Sequence, residues 1–399
     1  MKIVVQKFGG TSVSTEDRRK QVIKKIKNVI SDGYTPVVVV SAMGRFTDPY
    51  ATDTLLSLLN NEFKEQNKIA TDMLMCCGEF ISSVVMCNDL ASEGIDAIPL
   101  TGGQAGILTS DDFGNGKVIN VKTEKIKNLV SKGKVPVVCG FQGITEDGSF
   151  TTLGRGGSDT TAAILGAALL ADRIEIYTDV DGIMTADPRM VNDASVIDII
   201  SYDEVFQLAD QGAKVIHPKA VEFAREKNIP ILIKNTMSDS KGTLINNFGD
   251  KTRKRLVTSI TSSDNRIQIC VKLKDNLEND RYKDILELIA QNGVSLDLIN
   301  IFPEEQIFTI PSSAKDKVFN IFSDLKIKFD FKESCSTIAL VGAGMRGIPG
   351  VMAKIFKALN DNNIEVLQTA DSHMTIWCLV KTESLRKAIN SLHKAFSLS

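Results

Sequence analysis

Four consecutive valines, Val37 to Val40, directly follow Pro36 in this chain of 399 residues. An unbroken run of β-branched residues is typical of a parallel strand that is buried on both faces. The pattern recurs at 135–139 and 173–177, the first after a lysine-rich helical segment and the second after an alanine-rich one. This alternation predicts a layered α/β domain with a mainly parallel central sheet.

The predicted sheet starts with a strand over 2–6 and ends with a strand over 229–233, and a helix is expected over 17–30. The residues from Met237 to Arg255 are mostly polar and include turn-forming glycine, serine and aspartate, which is typical of a domain boundary. We therefore expect a first α/β domain at 1–245 and a linker at 246–263.

A weak internal repeat occupies the rest of the chain. Ile285, Ile289, Asn292, Val294 and Leu296 recur as Ile355, Leu359, Asn362, Ile364 and Val366. Each copy predicts a strand, a helix, an Asn-containing turn and a strand, so two small α+β modules are expected at 264–330 and 331–399. Modules of this size bury little core alone, and isologous pairing in at least a dimer is the simplest way to cover them.

Composition excludes several classes of protein. With 47 basic and 49 acidic side chains the formal net charge is -2, so no basic excess favours nucleic-acid binding. No run of about 18 apolar residues predicts a membrane helix. The seven cysteines are scattered without a C-x-x-C pair, which predicts no metal site and reduced thiols in a cytoplasmic protein.

The first chemical motif, Lys7-Phe8-Gly9-Gly10-Thr11-Ser12, follows the first predicted strand and precedes a helix. Adjacent glycines let backbone N–H groups approach an anion, and the helix N-terminus adds its dipole. The lysine adds a mobile positive charge, and phosphoryl transfer depends on such positioning and charge neutralisation. An ordinary Gly-Gly turn with a surface lysine is the alternative.

The second motif places Arg155 among Gly154, Gly156 and Gly157 at the start of the alanine-rich helix. A guanidinium offers a bidentate fork for a carboxylate. Helix capping would explain Ser158 or Asp159. It does not explain an arginine set among three glycines, so this motif predicts a carboxylate site.

The third motif is the loop from Tyr177 to Arg189, which follows a predicted strand and is dense in turn residues. Its spacing does not fit a calcium-binding loop. Loops at strand ends are where α/β folds bind ligands, although a solvated loop is the alternative.

These three motifs, in this order, resemble the aspartate kinase branch of the amino acid kinase family. Segments at 41–44, 47–48, 78–79, 101–106, 140–143 and 212–218 also look like family blocks, and the C-terminal repeats resemble ACT modules. The resemblance implies ATP-dependent phosphorylation of the L-aspartate β-carboxylate to 4-phospho-L-aspartate and ADP, with Mg²⁺ carried by ATP. The resemblance further implies that this reaction is the first step in the biosynthesis of lysine, threonine and methionine.

The resemblance also implies roles for matching positions. The catalytic set would be Lys7, Arg155 and Asp159, with Arg155 at the substrate α-carboxylate and Asp159 orienting Lys7. The ATP contacts would be Lys7, Gly9, Gly10, Thr11, Thr178, Asp179, Met184, Arg189, Lys214 and Val215. The substrate contacts would be Ser41, Thr47, Glu79, Arg155, Gly156 and Ser158, with Glu79 at the α-ammonium. A carboxylate substrate is ionised at pH 7 and needs no general base.

The ACT resemblance implies an amino-acid effector. Ser295 and Asp297 lie in a segment that looks like the effector-binding part of lysine-inhibited aspartate kinases, with Asp297 at the effector ammonium. Lysine is the expected effector, and threonine, or both, is the alternative. A kinase for another amino acid, or a non-catalytic amino-acid sensor, is the competing functional reading.

Two further patterns are expected to be structural. Gly342-Ala343-Gly344-Met345-Arg346-Gly347 fits a dinucleotide-binding spacing, but Pro349-Gly350 interrupts it before the helix, and it resembles the first turn of an ACT module. His217, before Pro218, is expected to be a structural histidine near a helix end.

Overall fold

The computed structural model describes residues 2–210, 215–250, 252, 255–278, 280–345 and 347–399. The strands are β1 (Ile3–Phe8), β2 (Thr35–Val40), β3 (Ala97–Leu100), β4 (Ile107–Thr109), β5 (Val118–Val121), β6 (Val135–Cys139), β7 (Gln142–Ile144), β8 (Phe150–Thr152), β9 (Arg173–Thr178), β10 (Ile199–Ser201), β11 (Ile231–Asn235), β12 (Thr243–Asn246), β13 (Ser259–Lys272), β14 (Asp297–Ile301), β15 (Glu305–Pro311), β16 (Asp330–Val341), β17 (Gln368–Asp371) and β18 (Thr375–Lys381). The helices are α1 (Gly10–Val13), α2 (Glu16–Ser31), α3 (Thr52–Leu56), α4 (Asn61–Gln66), α5 (Lys68–Ser92), α6 (Glu124–Ser131), α7 (Gly157–Leu169), α8 (Tyr202–Asp210), α9 (Pro218–Glu226), α10 (Ile285–Gln291), α11 (Lys315–Asp324), α12 (Val351–Asn360) and α13 (Leu385–Ala395). Short 3₁₀ turns lie at Leu273–Asp275, Asp280–Asp284, Ser312–Ala314, Ala343–Met345 and Thr382–Ser384.

The first of two compact units comprises Met1–Ile183, Val196–Ala209 and Lys214–Lys251. Its main sheet has the order β10-β12-β11-β9-β1-β2-β6-β3. The strands from β11 to β3 pair in parallel. The valines of β2 are fully buried because β2 lies in the middle of this sheet with helices on its faces. The predicted layered α/β fold is therefore confirmed.

The sheet continues beyond the strand that the sequence marks as its last. β11 turns back into β12, which pairs antiparallel with β11 and parallel with β10. β12 lies inside the polar stretch that the sequence assigns to the domain boundary, and its apolar pair, Leu244 and the buried Ile245, is flanked by polar residues. One short apolar pair in polar surroundings does not reveal a strand, and pairing with neighbours on both sides forms it here.

A second, smaller sheet of the first unit has the order β5-β4-β7-β8. α5 packs against β8 of this sheet and against β3 and β6 of the main sheet. By length and apolar composition α5 would be able to cross a membrane. Its buried carboxylates, Asp72 and Glu79, and its packing between the two sheets are those of a core helix in a globular domain.

The second unit comprises Met184–Ser195, Asp210–Ala213 and Thr252–Ser399, and its sheet has the order β14-β15-β13-β16-β18-β17. The predicted helix, turn and strand of each repeat are present as α10 with β14 and as α12 with β17. Each repeat has its own core, one around Phe308 and Phe322 and the other around Ile355 and Leu392.

The long strands β13 and β16 each serve both repeats. The half of β13 from Arg266 to Lys272 pairs with β15, whereas the half from Ser259 to Ser263 extends the second repeat by pairing with the end of β16. β16 in turn pairs with β18 from Cys335 onwards. The two repeats are thus interleaved, and β13 begins at Ser259, within the stretch that the sequence assigns to the linker.

The segment Met184–Ser195 belongs to the second unit although it lies between β9 and β10 of the first unit in sequence. Ala186 and Val191 are buried in the core of the second repeat. The N–H of Ile260 donates to Thr185 O (2.8 Å), and the buried Thr185 Oγ1 and His393 Nε2 are 2.9 Å apart. The sensor-like unit therefore incorporates part of the third sequence motif.

The glycine-rich segment at 342 follows β16 and leads through a 3₁₀ turn to α12. A Cβ on Gly342 would lie 2.3 Å from Leu256 O, so the glycine permits close packing of two backbone segments. This geometry agrees with the expected turn of an ACT module rather than a dinucleotide site.

Candidate active site

The candidate active site lies at the carboxyl edge of the main sheet. Phe8, the last residue of β1, pairs with Val40 of β2 and Tyr177 of β9, and Val40 pairs with Cys139 of β6. The segments that follow these strands start at Gly9, Ser41, Gly140 and Asp179, so they emerge along one edge. Crevices at this edge are where open parallel sheets bind ligands.

Gly9 and Gly10 form a tight backbone turn between β1 and α1. The N–H of Gly9 donates to Tyr177 O (3.3 Å), and the N–H of Gly44 donates to Gly10 O (3.0 Å). A Cβ on Gly10 would lie 2.6 Å from Ala42 O, so no other residue fits without displacing the loop after β2. Close backbone approach of this kind leaves room for phosphate oxygens beside the helix N-terminus.

Lys7 and Asp159 join the first two sequence motifs. Lys7 Nζ lies 2.6 Å from Asp159 Oδ1, and both side chains are mostly buried. Lys7 comes from the end of β1, and Asp159 from the first turn of α7. The contact holds the ammonium beside the Gly9–Gly10 turn, and the orienting role of Asp159 in catalysis stays a prediction.

The turn that carries Arg155 is held by glycines with left-handed backbone conformation. Gly154 has φ 74° and Gly156 has φ 68°. A Cβ on Gly156 would lie 2.3 Å from the Cβ of His217, so the imidazole packs directly on the turn. Arg155 itself is exposed and makes no hydrogen bond or ion pair within the described part of the chain, which leaves its guanidinium free for a carboxylate.

His217 serves as a structural residue, as expected. Its Nδ1 accepts a hydrogen bond from the N–H of Lys219 (3.4 Å) at the start of α9. Burial lowers the pKa of His217, so the ring that supports Gly156 stays neutral near pH 7.

Glu79 is buried in α5 and points to the loop after β2. The N–H of Ala42 donates to Glu79 Oε1 (3.0 Å), whereas Oε2 has no hydrogen-bond partner among the described residues. Burial raises the pKa of Glu79 to about 8, because a single N–H replaces the water that an ionised carboxylate would bind. A ligand ammonium would complete this carboxylate.

Thr47 and Ser41 lie in the loop after β2. Thr47 is exposed and has φ 86°, a conformation that a β-branched residue rarely adopts. Its N–H donates to Thr54 Oγ1 (3.0 Å). Backbone strain of this kind clusters at ligand-binding sites. Ser41 is half-buried, and its N–H donates to Phe8 O (3.2 Å) at the end of β1.

Thr178 and Asp179 follow β9 at the same edge. The carboxylate of Asp179 pairs with Arg45 of the loop after β2, with Nη2 and Oδ2 2.9 Å apart. Both side chains are largely exposed, so the pair stabilises the site by about 1 kcal/mol at most and is easily displaced by a ligand.

The other predicted site residues have different surroundings. Met184 and Arg189 lie in the segment of the second unit, where Ser259 Oγ donates to Met184 O and Arg189 pairs with Asp187 (2.6 Å). Val215 is half-buried ahead of α9 in the first unit, and Lys214 lies outside the described residues. Gly156 lies in the turn already described, Thr11 lies in α1, and Ser158 lies in the first turn of α7.

Sequence reasoning missed two residues of this region. Arg45 carried no signal, because an exposed arginine in a loop is ordinary. Asp72 had a signal that was overlooked: like Glu79, it is a buried carboxylate within a mostly apolar helix. Among the described residues no group of three or more His, Cys, Asp or Glu side chains could hold a metal ion.

Comparison with known proteins extends the match beyond the site. The Amino acid kinase family profile matches residues 2–235, and an ACT domain profile matches residues 330–394. Aspartokinase 1 of Bacillus subtilis is 45% identical over 404 residues, and the alignment covers 100% of both chains. The chain belongs to the aspartokinase family.

Solved aspartokinases share the fold. The Clostridium acetobutylicum aspartate kinase is 26% identical with a TM-score of 0.83, covering 98% of this chain and 100% of its own. E. coli aspartokinase III in complex with aspartate and ADP is 25% identical with a TM-score of 0.77, covering 99% and 100%. Its complex with lysine and aspartate gives a TM-score of 0.78, covering 99% of each chain. The predicted family, fold class and enzyme class of this aspartokinase are confirmed by these matches.

The predicted effector residues of this aspartokinase lie on the first ACT repeat. Asp297 starts β14, and its Oδ2 lies 2.7 Å from Nη1 of Arg266 on β13. Ser295 is exposed in the turn before β14. The Asp297 carboxylate is thus already paired with a cation, which an effector ammonium would have to replace.

Proposed function

We propose that this chain transfers the γ-phosphoryl group of ATP to the β-carboxylate of L-aspartate, giving 4-phospho-L-aspartate and ADP. The observation that carries the proposal is the Lys7–Asp159 ion pair (2.6 Å), which fixes a cation between the Gly9–Gly10 turn and the arginine-bearing turn. The reaction would be the first step towards lysine, threonine and methionine, in the cytoplasm.

The chemistry needs positioning and cations rather than a base. A carboxylate oxygen of aspartate, already ionised at pH 7, forms the new bond to the γ-phosphorus, and the bond to the β,γ-bridging oxygen breaks as ADP leaves. Lys7 offsets charge on the phosphoryl group in transit, and the Gly9–Gly10 turn approaches the phosphates through its backbone. Mg²⁺ that arrives with ATP would supply further charge neutralisation.

The amino-acid substrate would be held by its α-groups. The free Arg155 guanidinium suits the α-carboxylate, and the unpartnered Oε2 of Glu79 suits the α-ammonium. Opposite charges on two separate elements select an amino acid in its zwitterionic form. Thr47, Ser41, Gly156 and Ser158 would complete the substrate contacts, and Thr178, Asp179, Met184, Arg189, Lys214 and Val215 those of ATP.

The ACT unit supports feedback regulation by an amino acid, with lysine as the proposed effector at Ser295 and Asp297. E. coli aspartokinase III has been solved with lysine and aspartate, which favours lysine over threonine. The exposed apolar side chains of Ile299 and Ile301 on β14, and of Phe302 directly after it, support pairing of ACT units in at least a dimer.

The test is a hydroxylamine trap of the acyl phosphate with purified protein, MgATP and aspartate, with glutamate in parallel. Aspartyl hydroxamate that falls on addition of lysine is expected. Lys7→Met should lower turnover by on the order of a hundredfold or more, whereas Lys27→Met, at an exposed lysine of α2, should not.

Each other outcome points elsewhere. Hydroxamate from glutamate alone would indicate a kinase for another amino acid. ATP and lysine binding without hydroxamate from either acid would indicate a non-catalytic sensor. If neither lysine nor threonine lowers the amount of aspartyl hydroxamate, the proposed kinase activity stands and the proposed effector is rejected.

A further inference from the structure

Asp72 is a fully hydrogen-bonded carboxylate buried on α5. Only 1% of the residue is exposed. Its Oδ2 accepts hydrogen bonds from the N–H of Thr152 (2.8 Å) and the N–H of Gly114 (2.9 Å), and its Oδ1 accepts from Thr152 Oγ1 (2.9 Å). One side chain thereby fixes two backbone segments that are far apart in sequence.

Both segments lead to Arg155. Thr152 ends β8, directly before the turn Leu153-Gly154-Arg155, and its carbonyl accepts a hydrogen bond from the N–H of Gly116 (2.7 Å). Between Gly114 and Gly116, Asn115 Oδ1 lies 2.9 Å from the Cβ position of Gly154. Asn115 is also held from the other side, because Lys219 Nζ donates to its Oδ1 (3.0 Å).

The anchor of this turn and Glu79 share one rigid helix. Asp72 and Glu79 are two helical turns apart in α5, which places them on the same face about 10 Å apart. Both are buried. The position of the arginine-bearing turn relative to the Glu79 carboxylate is therefore set through Asp72.

We propose that Asp72 is a positioning residue that fixes the spacing between Arg155 and Glu79 and thereby selects aspartate over glutamate. The inference rests on the proposed function. When both α-groups of the substrate are held at fixed points, the side-chain carboxylate reaches the phosphoryl group only if the side chain has the right length. Glutamate is one methylene longer, and a turn that moves by about 1 Å would no longer exclude it, as misplacement on that scale strongly affects rates.

The experiment compares kcat/KM for aspartate and for glutamate in the hydroxamate assay. The selectivity ratio is kcat/KM for aspartate divided by kcat/KM for glutamate. This ratio does not depend on the fraction of active enzyme, so a variant that is merely partly unfolded keeps the wild-type ratio. One methylene is worth roughly 10- to 200-fold in such a ratio, and we expect Asp72→Ala to lower it about tenfold or more. KM for aspartate should rise, and KM for ATP should stay within about twofold of wild type.

Two variants keep the test informative if Asp72→Ala does not fold. Thr152→Val removes one hydrogen bond to Asp72 and keeps the backbone N–H, so it should shift the ratio in the same direction by less. Asp72→Asn should retain the wild-type ratio, because its oxygen accepts from both N–H groups and its amide donates to Thr152 Oγ1. Thr151→Val is the matched control, since the buried Thr151 hydroxyl bonds Thr109 (2.5 Å) and not Asp72.

An unchanged selectivity ratio and unchanged KM for aspartate in folded Asp72→Ala or Thr152→Val would overturn the positioning role. If wild-type activity on glutamate is too low to measure, an unchanged KM for aspartate in these variants is enough to reject the positioning role. Wild-type protein without aspartyl hydroxamate would instead reject the proposed function.

Discussion

Replacing Glu79 with glutamine removes a buried ionisable group and keeps its shape. Burial raises the pKa of Glu79 from 4.5 to about 8, so between these pH values the folded protein keeps a proton that the unfolded chain has released. Stability therefore falls as pH rises through this window and levels off above pH 8. At about 1.4 kcal/mol per pH unit, the carboxyl destabilises the ligand-free protein by about 3 kcal/mol at pH 7 relative to a neutral group.

Thermal unfolding of ligand-free wild type and Glu79→Gln from pH 5 to pH 9 measures this difference. We expect the variant to become progressively more stable than wild type, with the gap in unfolding midpoint widening by roughly 10 °C between pH 5 and pH 8 for a unit of this size. Parallel pH profiles of the two proteins would show that Glu79 is not the buried acid described here.

The same carboxyl should control substrate affinity. An α-ammonium binds the ionised form, so KM for aspartate should fall about tenfold as pH rises from 7 to 9. In Glu79→Gln, KM should be about a hundredfold higher and independent of pH over this range, while KM for ATP is unchanged. If Glu79→Gln is more stable than wild type but keeps the wild-type KM for aspartate, Glu79 is a buried acid that does not bind the substrate ammonium, and its assigned role is refuted.

Two further variants test the site and its regulation. Arg155→Lys keeps the charge but loses the bidentate fork, so KM for aspartate should rise about tenfold in initial-rate assays with folding intact; a wild-type KM would remove Arg155 from the clamp. Thr243→Val removes the buried hydroxyl that accepts from the N–H of Ile183 (2.8 Å) and should raise the lysine concentration for half-inhibition several-fold at a near-normal uninhibited rate. Unaltered inhibition would show that this anchor does not transmit the effector signal.

Much of this site was predictable because its chemistry lies in contiguous motifs. The four valines of β2 identify a central parallel strand, and the glycines next to Lys7 and Arg155 identify turns that approach an anion. The ends of adjacent parallel strands must meet at one edge, so the convergence of these motifs followed from the fold. The repeated asparagine turns likewise identified two related modules.

What could not be predicted depends on pairing between distant segments. Asp72 contacts Thr152 and Gly114 only after α5 has packed against β8, and no local pattern encodes that contact. β12 has only four residues, too few to mark a strand on their own, and it pairs with both β10 and β11. The third motif was treated as one loop, yet from Met184 onwards it belongs to the second unit, where Thr185 and Ala186 are buried.

The third motif is divided between the two units after Ile183, and this division suggests how the ACT unit can act on the kinase site. In the first unit, the N–H of Ile183 donates to Thr243 Oγ1 (2.8 Å), and the N–H of Ile197 donates to Ile183 O (2.8 Å). In the second unit, Ser259 Oγ donates to Met184 O (2.9 Å), and the adjacent Thr185 is bonded to Ile260. Ile183 is thus bonded within the first unit, and Met184, the next residue, within the second. We expect a conformational change in the ACT core around Ala186 to act on the peptide at Ile183, and through it on the short loop back to Thr178 and Asp179. A ligand that favours one arrangement of the sensor core would thereby change the affinity of the catalytic edge, and ATP or aspartate would in turn change the affinity for that ligand by the same factor.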